Sequence, residues 1–234
     1  MAEKLFPKLV LFGDSITQES FSEGGWGATA VGHFQRKCDV LNRGFSGYTT
    51  AFSKLILPKV LQCDNSPKGS IAAAVILLGS NDAVLEDIDP RGLSVEQYVT
   101  NLTDILTKFM NDGIAANQLI LLTPPAISEV MYEKRCREMG CAMSLSDERV
   151  KLFASRCADL GKSIGVDVVD LYTLFHQQPN WESFLSDGLH LSKEGNRFVA
   201  DHVIPLLDTK LGHLPKILPD WKDIDPKHIE KALL

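Results

Sequence analysis

Leu9-Val10-Leu11-Phe12-Gly13-Asp14-Ser15-Ile16-Thr17 is a short apolar run that ends in turn chemistry. An unbroken apolar run reads as a strand buried on both faces, and such strands belong to parallel sheets covered by helices on either side. Ala72-Ala73-Ala74-Val75-Ile76-Leu77-Leu78 also shows no polar–apolar alternation, which predicts a central strand of that sheet. Working outward, residues 8–12, 39–41, 72–78, 118–122 and 166–169 are the expected strands. Residues 26–37, 49–61, 94–110, 145–164 and 192–211 are the expected helices. Ser94 with Gln97 resembles a capping box, and Ser192 with Gly195 is a weaker signal of the same kind. This alternation is that of βαβ units and predicts an α/β fold, a parallel sheet of about five strands between two helix layers.

The 234 residues suit one domain rather than two, and no linker or internal repeat divides them. We expect a domain over residues 1–212 and, over 213–234, an extended arm with Pro215, Pro219 and Pro226. Leu214, Ile217 and Trp221 would dock this arm on its own subunit or on a neighbouring copy in a homodimer. A net charge of −6 argues against nucleic acid as a partner, because phosphate contacts need a basic surface. No stretch approaches the roughly 18 apolar residues of a membrane span, so no stable membrane insertion is expected. Met1-Ala2-Glu3-Lys4, then Pro7 and an apolar run only from Leu9 to Phe12, lacks the apolar region of a secretory leader. Cys38, Cys63, Cys136, Cys141 and Cys157 form an odd set without a C-x-x-C pair. They read as isolated, reduced, structural thiols of a cytoplasmic protein.

Residues 123–144 break the alternation. They begin Thr123-Pro124-Pro125 after an expected strand and carry Ile127, Val130, Met131, Tyr132, Met139 and Met143 among charges. A segment of that length is either functional or holds a helix of its own, and its place at a strand's carboxyl end lets it wall a pocket.

Ser15 stands at the carboxyl end of the first strand, where open α/β sheets place their ligand sites. A serine hydroxyl becomes a nucleophile only when a base takes its proton and donors hold the resulting oxyanion. Asp187-Gly188-Leu189-His190 can supply a histidine base and the carboxylate that fixes its tautomer. Alone, the motif is weak, and Asp187 reads as a turn residue and His190 as an ordinary surface or core side chain. Gly44 offers a closely approaching backbone N–H and Asn81 an uncharged side-chain donor, which is what an oxyanion hole needs. Their bland readings are a tight turn and a helix cap. Asp14 and Asp82 are expected to bind loop N–H groups rather than act as acid or base. Gly161-Lys162-Ser163-Ile164-Gly165 matches a nucleophile-elbow pattern, but a helix precedes it and a strand follows, the reverse of what that elbow needs. The remaining histidines lack metal-ligand spacing, and there is no P-loop or G-x-G-x-x-G, so neither metal nor cofactor is expected.

Taken together and in order, Gly13-Asp14-Ser15, Gly44, Gly79-Ser80-Asn81-Asp82 and Asp187-Gly188-Leu189-His190 resemble the blocks of the GDSL or SGNH hydrolase family. Phe12-Gly13-Asp14-Ser15-Ile16-Thr17-Gln18, Gly25-Trp26-Gly27 and Leu78-Gly79-Ser80-Asn81-Asp82-Ala83 are similar to its isoamyl acetate-hydrolysing esterases. The resemblance implies a flavodoxin-like α/β/α sandwich with Ser15 as nucleophile, His190 as base and then acid, and Asp187 as its orienting partner. It also implies an oxyanion hole made by the N–H groups of Ser15 and Gly44 and the Asn81 side chain. The substrate would be a small carboxylic ester. A lysophospholipid, a thioester or an acetylated sugar would use the same residues, and a non-catalytic binding or scaffold protein on a hydrolase fold is the reading of another class. Trp26, Met131, Tyr132 and Met143, with Trp181 and Phe184, are candidate substrate lining.

Overall fold

The computed structural model describes residues 6–62 and 68–233. The readings made of Met1-Ala2-Glu3-Lys4 and of Cys63 lie outside the described residues. Five strands, β1 (Lys8–Gly13), β2 (Asp39–Gly44), β3 (Ile71–Leu77), β4 (Leu119–Leu122) and β5 (Asp167–Val169), form one sheet in the order β2-β1-β3-β4-β5. Every pairing is parallel. β3 is the middle strand, and the residues from Ala73 through Leu78 are all buried, as their lack of alternation required.

The helices are α1 (Ser15–Gln18), α2 (Trp26–His33), α3 (Thr50–Gln62), α4 (Val95–Asn111), α5 (Glu129–Met139), α6 (Asp147–Ile164), α7 (Leu171–His176), α8 (Lys193–Leu211) and α9 (Glu230–Leu233). α2 packs with α8 on one face of the sheet, and α4 packs between α3 and α6 on the other. The structure is therefore the expected three-layer sandwich. Ser94 and Gln97 form a reciprocal capping box on α4, and Ser192 Oγ accepts from the Gly195 amide at 3.1 Å to start α8. α2 ends at His33, short of the expected residue 37, and the chain leaves it in a turn in which Arg36 takes the left-handed φ of 63°.

Strand order reverses between β1 and β3. The chain steps from β1 outward to β2, then returns past β1 to lay down β3 on the other side, so the loops after these neighbouring strands diverge and leave a crevice. The register aligns their ends, since Gly13 pairs with Gly44 on one side and Leu77 on the other. Whatever follows β1, β2 and β3 therefore emerges at one edge of the sheet.

Residues 214–219 lie against their own chain. The Ile217 amide donates to the Arg36 carbonyl at 2.6 Å, and Arg36 Nη2 donates to the carbonyls of Leu218 (2.6 Å) and Pro219 (2.7 Å). Leu214 packs on the core, but Trp221, expected to help dock the arm, is 76 % exposed. Backbone carbonyls captured by one arginine, rather than an indole in a pocket, hold this stretch.

Candidate active site

Asp14 caps α1 by accepting the Ile16 amide on Oδ1 at 3.0 Å, and the turn this makes presents Ser15 at the helix's first position. From β2, Asn42 Nδ2 donates at 3.0 Å to the carbonyls of both Thr17 and Gln18, fixing the far end of the same helix. On the loop before α8, Ser186 donates to the His190 carbonyl from both its amide (2.8 Å) and its hydroxyl (3.1 Å), closing a tight turn over residues 186–190. Within it Asp187 Oδ1 accepts the amides of Leu189 (3.0 Å) and His190 (2.8 Å).

The two turns meet. Ser15 Oγ lies 2.9 Å from His190 Nε2, and His190 Nδ1 lies 2.8 Å from Asp187 Oδ2. Burial pushes the Asp187 carboxyl up, but hydrogen bonds from the His190 ring and backbone outweigh it and hold the group well below the usual carboxylate range. Burial pulls the His190 imidazole down, yet the hydrogen bond and charge of Asp187 prevail and raise it above its ordinary value. The arrangement is a hydroxyl, a base and an orienting anion in line.

Asn81, from the loop after β3, joins Ser15 and His190 in the lining of one cleft of about 420 Å³. Its Nδ2 donates to the Tyr48 carbonyl at 3.1 Å and to Asp14 Oδ2 at 3.4 Å. Gly44 does not join them. Its amide donates to Asn42 Oδ1 at 2.9 Å, and a Cβ there would stand 2.0 Å from the Gln18 nitrogen. Gly44 is thus the point where β2 and α1 pass backbone to backbone, and its N–H faces a side chain instead of the cleft. The residue that sequence reasoning passed over is Gly47, three positions on. It lines the cleft, turns with φ 78°, and its N–H has no hydrogen-bond partner among the described residues. The second glycine of Gly44-Phe45-Ser46-Gly47 was the available signal, since a glycine followed by Tyr48-Thr49 before a helix marks the end of the loop.

The expected lining is corrected as well. Trp26 is 1 % exposed, with its amide donating to Asn196 Oδ1 (3.1 Å) and Nε1 to the Ile16 carbonyl (3.4 Å), so it packs under α1 instead of facing substrate. Met131, Met143, Trp181 and Phe184 are also absent from the cleft wall, and Phe184 stacks on Phe198. Tyr132 does line it, together with Arg135, Met139, Cys141 and Ser144. Residues 123–144 therefore wall the cleft and also hold a helix of their own, α5, which supplies Tyr132, Arg135 and Met139 to that wall. They are clamped at Ile127 by Asp147 Oδ1 (3.0 Å), at Ser128 by the Gly188 carbonyl (3.0 Å) and at Ser144 by the Leu85 amide (2.7 Å).

Asp14 and Asp82 take the loop-binding roles expected of them. Asp82 accepts the amide and hydroxyl of Thr50 at the start of α3. Burial pushes Asp14 up to about 7 and Asp82 up to about 6. Ser163 ends α6 with its hydroxyl on the Leu160 carbonyl at 2.8 Å, so it is no nucleophile elbow. Cys136 and Cys141, read as isolated, are neighbours: the Cys141 amide donates to the Cys136 carbonyl at 3.0 Å in a Schellman turn around Gly140. Burial first, and then Cys141, pushes the Cys136 thiol up. Among the described residues no three His, Cys, Asp or Glu gather as a metal site, and no helix is long and apolar enough to cross a membrane.

A serine, histidine and carboxylate in line, at the switch point of a parallel sheet, define the acyl-transfer class of site. Residues 11–198 match the GDSL-like lipase/acylhydrolase family, and the chain belongs to that family of ester hydrolases. It is 42 % identical over 231 residues to the human isoamyl acetate-hydrolyzing esterase 1 homolog, covering 98 % of this chain and 93 % of that one. A GDSL esterase/lipase of Arabidopsis thaliana is 35 % identical over 94 % of this chain and 95 % of its own. Among solved structures, a lipase/acylhydrolase from Enterococcus faecalis superposes with a TM-score of 0.69 at 25 % identity, over 90 % of this chain and 98 % of that one.

Proposed function

We propose that the protein hydrolyses small, acetate-type carboxylic esters through an acyl-serine intermediate. The observation that carries this is the line Ser15 Oγ–His190 Nε2 (2.9 Å) and His190 Nδ1–Asp187 Oδ2 (2.8 Å) at the wall of a cleft of about 420 Å³. His190 takes the hydroxyl proton as Ser15 attacks the ester carbonyl, and Asp187 stabilises the imidazolium that forms. Three donors suit the tetrahedral oxyanion: the N–H groups of Ser15 and Gly47, and Asn81 Nδ2, which would exchange its 3.4 Å contact with Asp14 for the developing charge. His190 then returns the proton to the departing alcohol, and water repeats the sequence to release the acid. The modest cleft and the similarity to a relative named for isoamyl acetate favour short acyl groups over long ones.

The test is a p-nitrophenyl ester series from acetyl to dodecanoyl, with fluorophosphonate labelling, on wild type and Ser15→Ala. Loss of both turnover and labelling in the variant, with a short-chain maximum in wild type, is the expected result. A long-chain maximum would point to a lysophospholipase or thioesterase on the same residues, and absence of burst acylation to a non-catalytic binding protein. We also propose cytoplasmic residence and a homodimer through residues 213–234, where exposed Leu218 and Trp221 offer apolar surface. Sedimentation of full-length protein against Trp221→Ala checks the dimer.

A further inference from the structure

We propose that Arg135 is a positioning residue of the Ser15–His190–Asp187 line, holding the Asp187 carboxylate and keeping His190 in its neutral, proton-accepting form. This rests on the acyl-serine reading above and adds a fourth member to it. Arg135 belongs to α5, far from Asp187 in sequence, yet its Nε stands 2.9 Å from Asp187 Oδ2, the oxygen that His190 Nδ1 approaches at 2.8 Å.

The contacts to Asp187 divide cleanly. Oδ1 accepts two backbone amides from its own turn, and Oδ2 faces the imidazole in a hydrogen bond and the guanidinium in an ion pair. Oδ2 is therefore shared between a permanent cation and a group that becomes a cation during the reaction. A permanent charge beside the shared oxygen attracts the carboxylate and offsets part of the pull that would otherwise draw a proton onto His190. The side chains of Arg135 and Asp187 are 27 % and 29 % exposed, and the guanidinium sits 5.9 Å from the centre of the Tyr132 ring. The pair is thus partly shielded, where such an interaction keeps more strength than at an open surface.

The other groups around His190 set the direction of the effect. Asp187 and Glu19 favour its charged form, and Arg135 opposes it. Asp14 lies close behind Ser15 and interacts with the His190 charge. Across the cleft Arg91 is engaged with Asp89 at 2.6 Å, and Tyr132 and Cys141 complete the wall. Among the described residues Arg135 is the cation that directly meets the triad carboxylate.

A purely structural clip would have little left to hold. The 186–190 turn is already joined to α5 by the Ser128 amide on the Gly188 carbonyl at 3.0 Å, and Gly188 packs so closely that a Cβ there would stand 2.4 Å from the Tyr132 nitrogen. Removing Arg135 leaves that junction intact, so its effect falls on charge and orientation.

The experiment compares pH profiles of kcat/KM for p-nitrophenyl acetate in wild type, Arg135→Met, Arg135→Gln and Arg135→Lys, with melting temperatures as the fold control and Ser15→Ala alongside. In Arg135→Met the acid limb should move to higher pH, so that kcat/KM falls about threefold more than in wild type between about pH 8 and pH 5.5. The plateau kcat should drop by about tenfold or less, well short of the ~10⁴ loss expected when a triad carboxylate itself is neutralised. KM for this neutral ester should stay unchanged, and Arg135→Lys, which keeps the charge, should restore the wild-type limb. Arg135→Gln, with a donor but no charge, should show the same displaced limb as Arg135→Met. An unmoved acid limb in a folded Arg135→Met or Arg135→Gln overturns the proposal, as does a raised KM with the limb unmoved, which would make Arg135 a substrate contact. Failure of both neutral variants to fold also overturns it, since Arg135 would then be structural. If Ser15→Ala keeps turnover, the acyl-serine reading itself fails. If Ser15→Ala is dead and the Arg135 limb stays put, only the role of Arg135 falls.

Discussion

Ser15 Oγ and His190 Nε2 stand 2.9 Å apart although 175 positions separate them in the chain. Each sits on a tight turn held by short-range hydrogen bonds, and the two turns converge because β1 ends and α8 begins at the switch-point edge of the sheet. Acyl transfer needs this contact before substrate arrives, since the proton must leave the hydroxyl as the bond to carbon forms.

The acid limb of the kcat/KM profile should lie above the ordinary histidine value of roughly 6.5. Burial alone would lower the His190 pKa, but the Asp187 hydrogen bond outweighs it. A base must be neutral, so a raised pKa means that activity is lost earlier as pH falls. Steady-state rates from about pH 5 to pH 9 on a chemistry-limited ester test this, and a midpoint below the ordinary value counts against His190.

Asp187→Asn should lower kcat by about 10³ to 10⁴ with little change in KM, because the amide can hold His190 in the wrong tautomer and cannot stabilise the imidazolium. Single-turnover acylation, monitored by p-nitrophenolate release, checks it. A loss below tenfold would show that Asp187 serves only the turn.

Asn81→Ala should cost about 10² to 10³ in kcat, the usual penalty for one oxyanion donor. Gly44→Ala should act differently, because the Gly44 amide already serves Asn42 and the glycine is needed for backbone approach to Gln18. We expect that variant to lose thermal stability. An unchanged melting temperature with greatly reduced kcat would return Gly44 to the oxyanion hole in place of Gly47.

Asp14 couples stability to pH. Its carboxyl moves from an unfolded value near 3.9 up to about 7 when buried, so the folded state holds the proton more tightly. The stabilisation from this group is full below about pH 4 and is lost as pH rises through about 7. Asp14→Asn removes the titration, and its melting temperature relative to wild type should therefore climb between pH 4 and pH 8. A difference that stays constant over that range would mean that Asp14 ionises as an ordinary exposed carboxyl.

Gly188→Ala should destabilise the protein by about 1–3 kcal/mol. The residue has φ 89°, and a Cβ would stand 2.4 Å from the Tyr132 nitrogen and 2.7 Å from the Ser128 carbonyl oxygen. Urea denaturation measures the loss. Since Asp187 and His190 flank this residue, ester turnover should fall with it.

Much of the architecture was legible in residue order. An apolar run without alternation, such as 72–78, can only be buried on both faces, and the capping signals at Ser94 and Ser192 work through neighbours three residues away. Short helices escaped notice for the opposite reason. α1 and α7 are too brief to show a 3.6-residue period, and α5 hides its helical character among charges, with few apolar positions to trace a stripe.

The sequence by itself determined the parallel sheet and the identities of Ser15, Asp187, His190 and Asn81 as the chemically suited residues. Burial pattern and short-range turn chemistry are local properties that residue order carries directly. Only the tertiary structure decided that Gly47 rather than Gly44 lines the cleft, that Trp26 lies in the core, and that Arg135 reaches Asp187. Each of those depends on how β2, α1 and α5 sit relative to one another, and such long-range placement is set by the packing of the whole sheet against its helices.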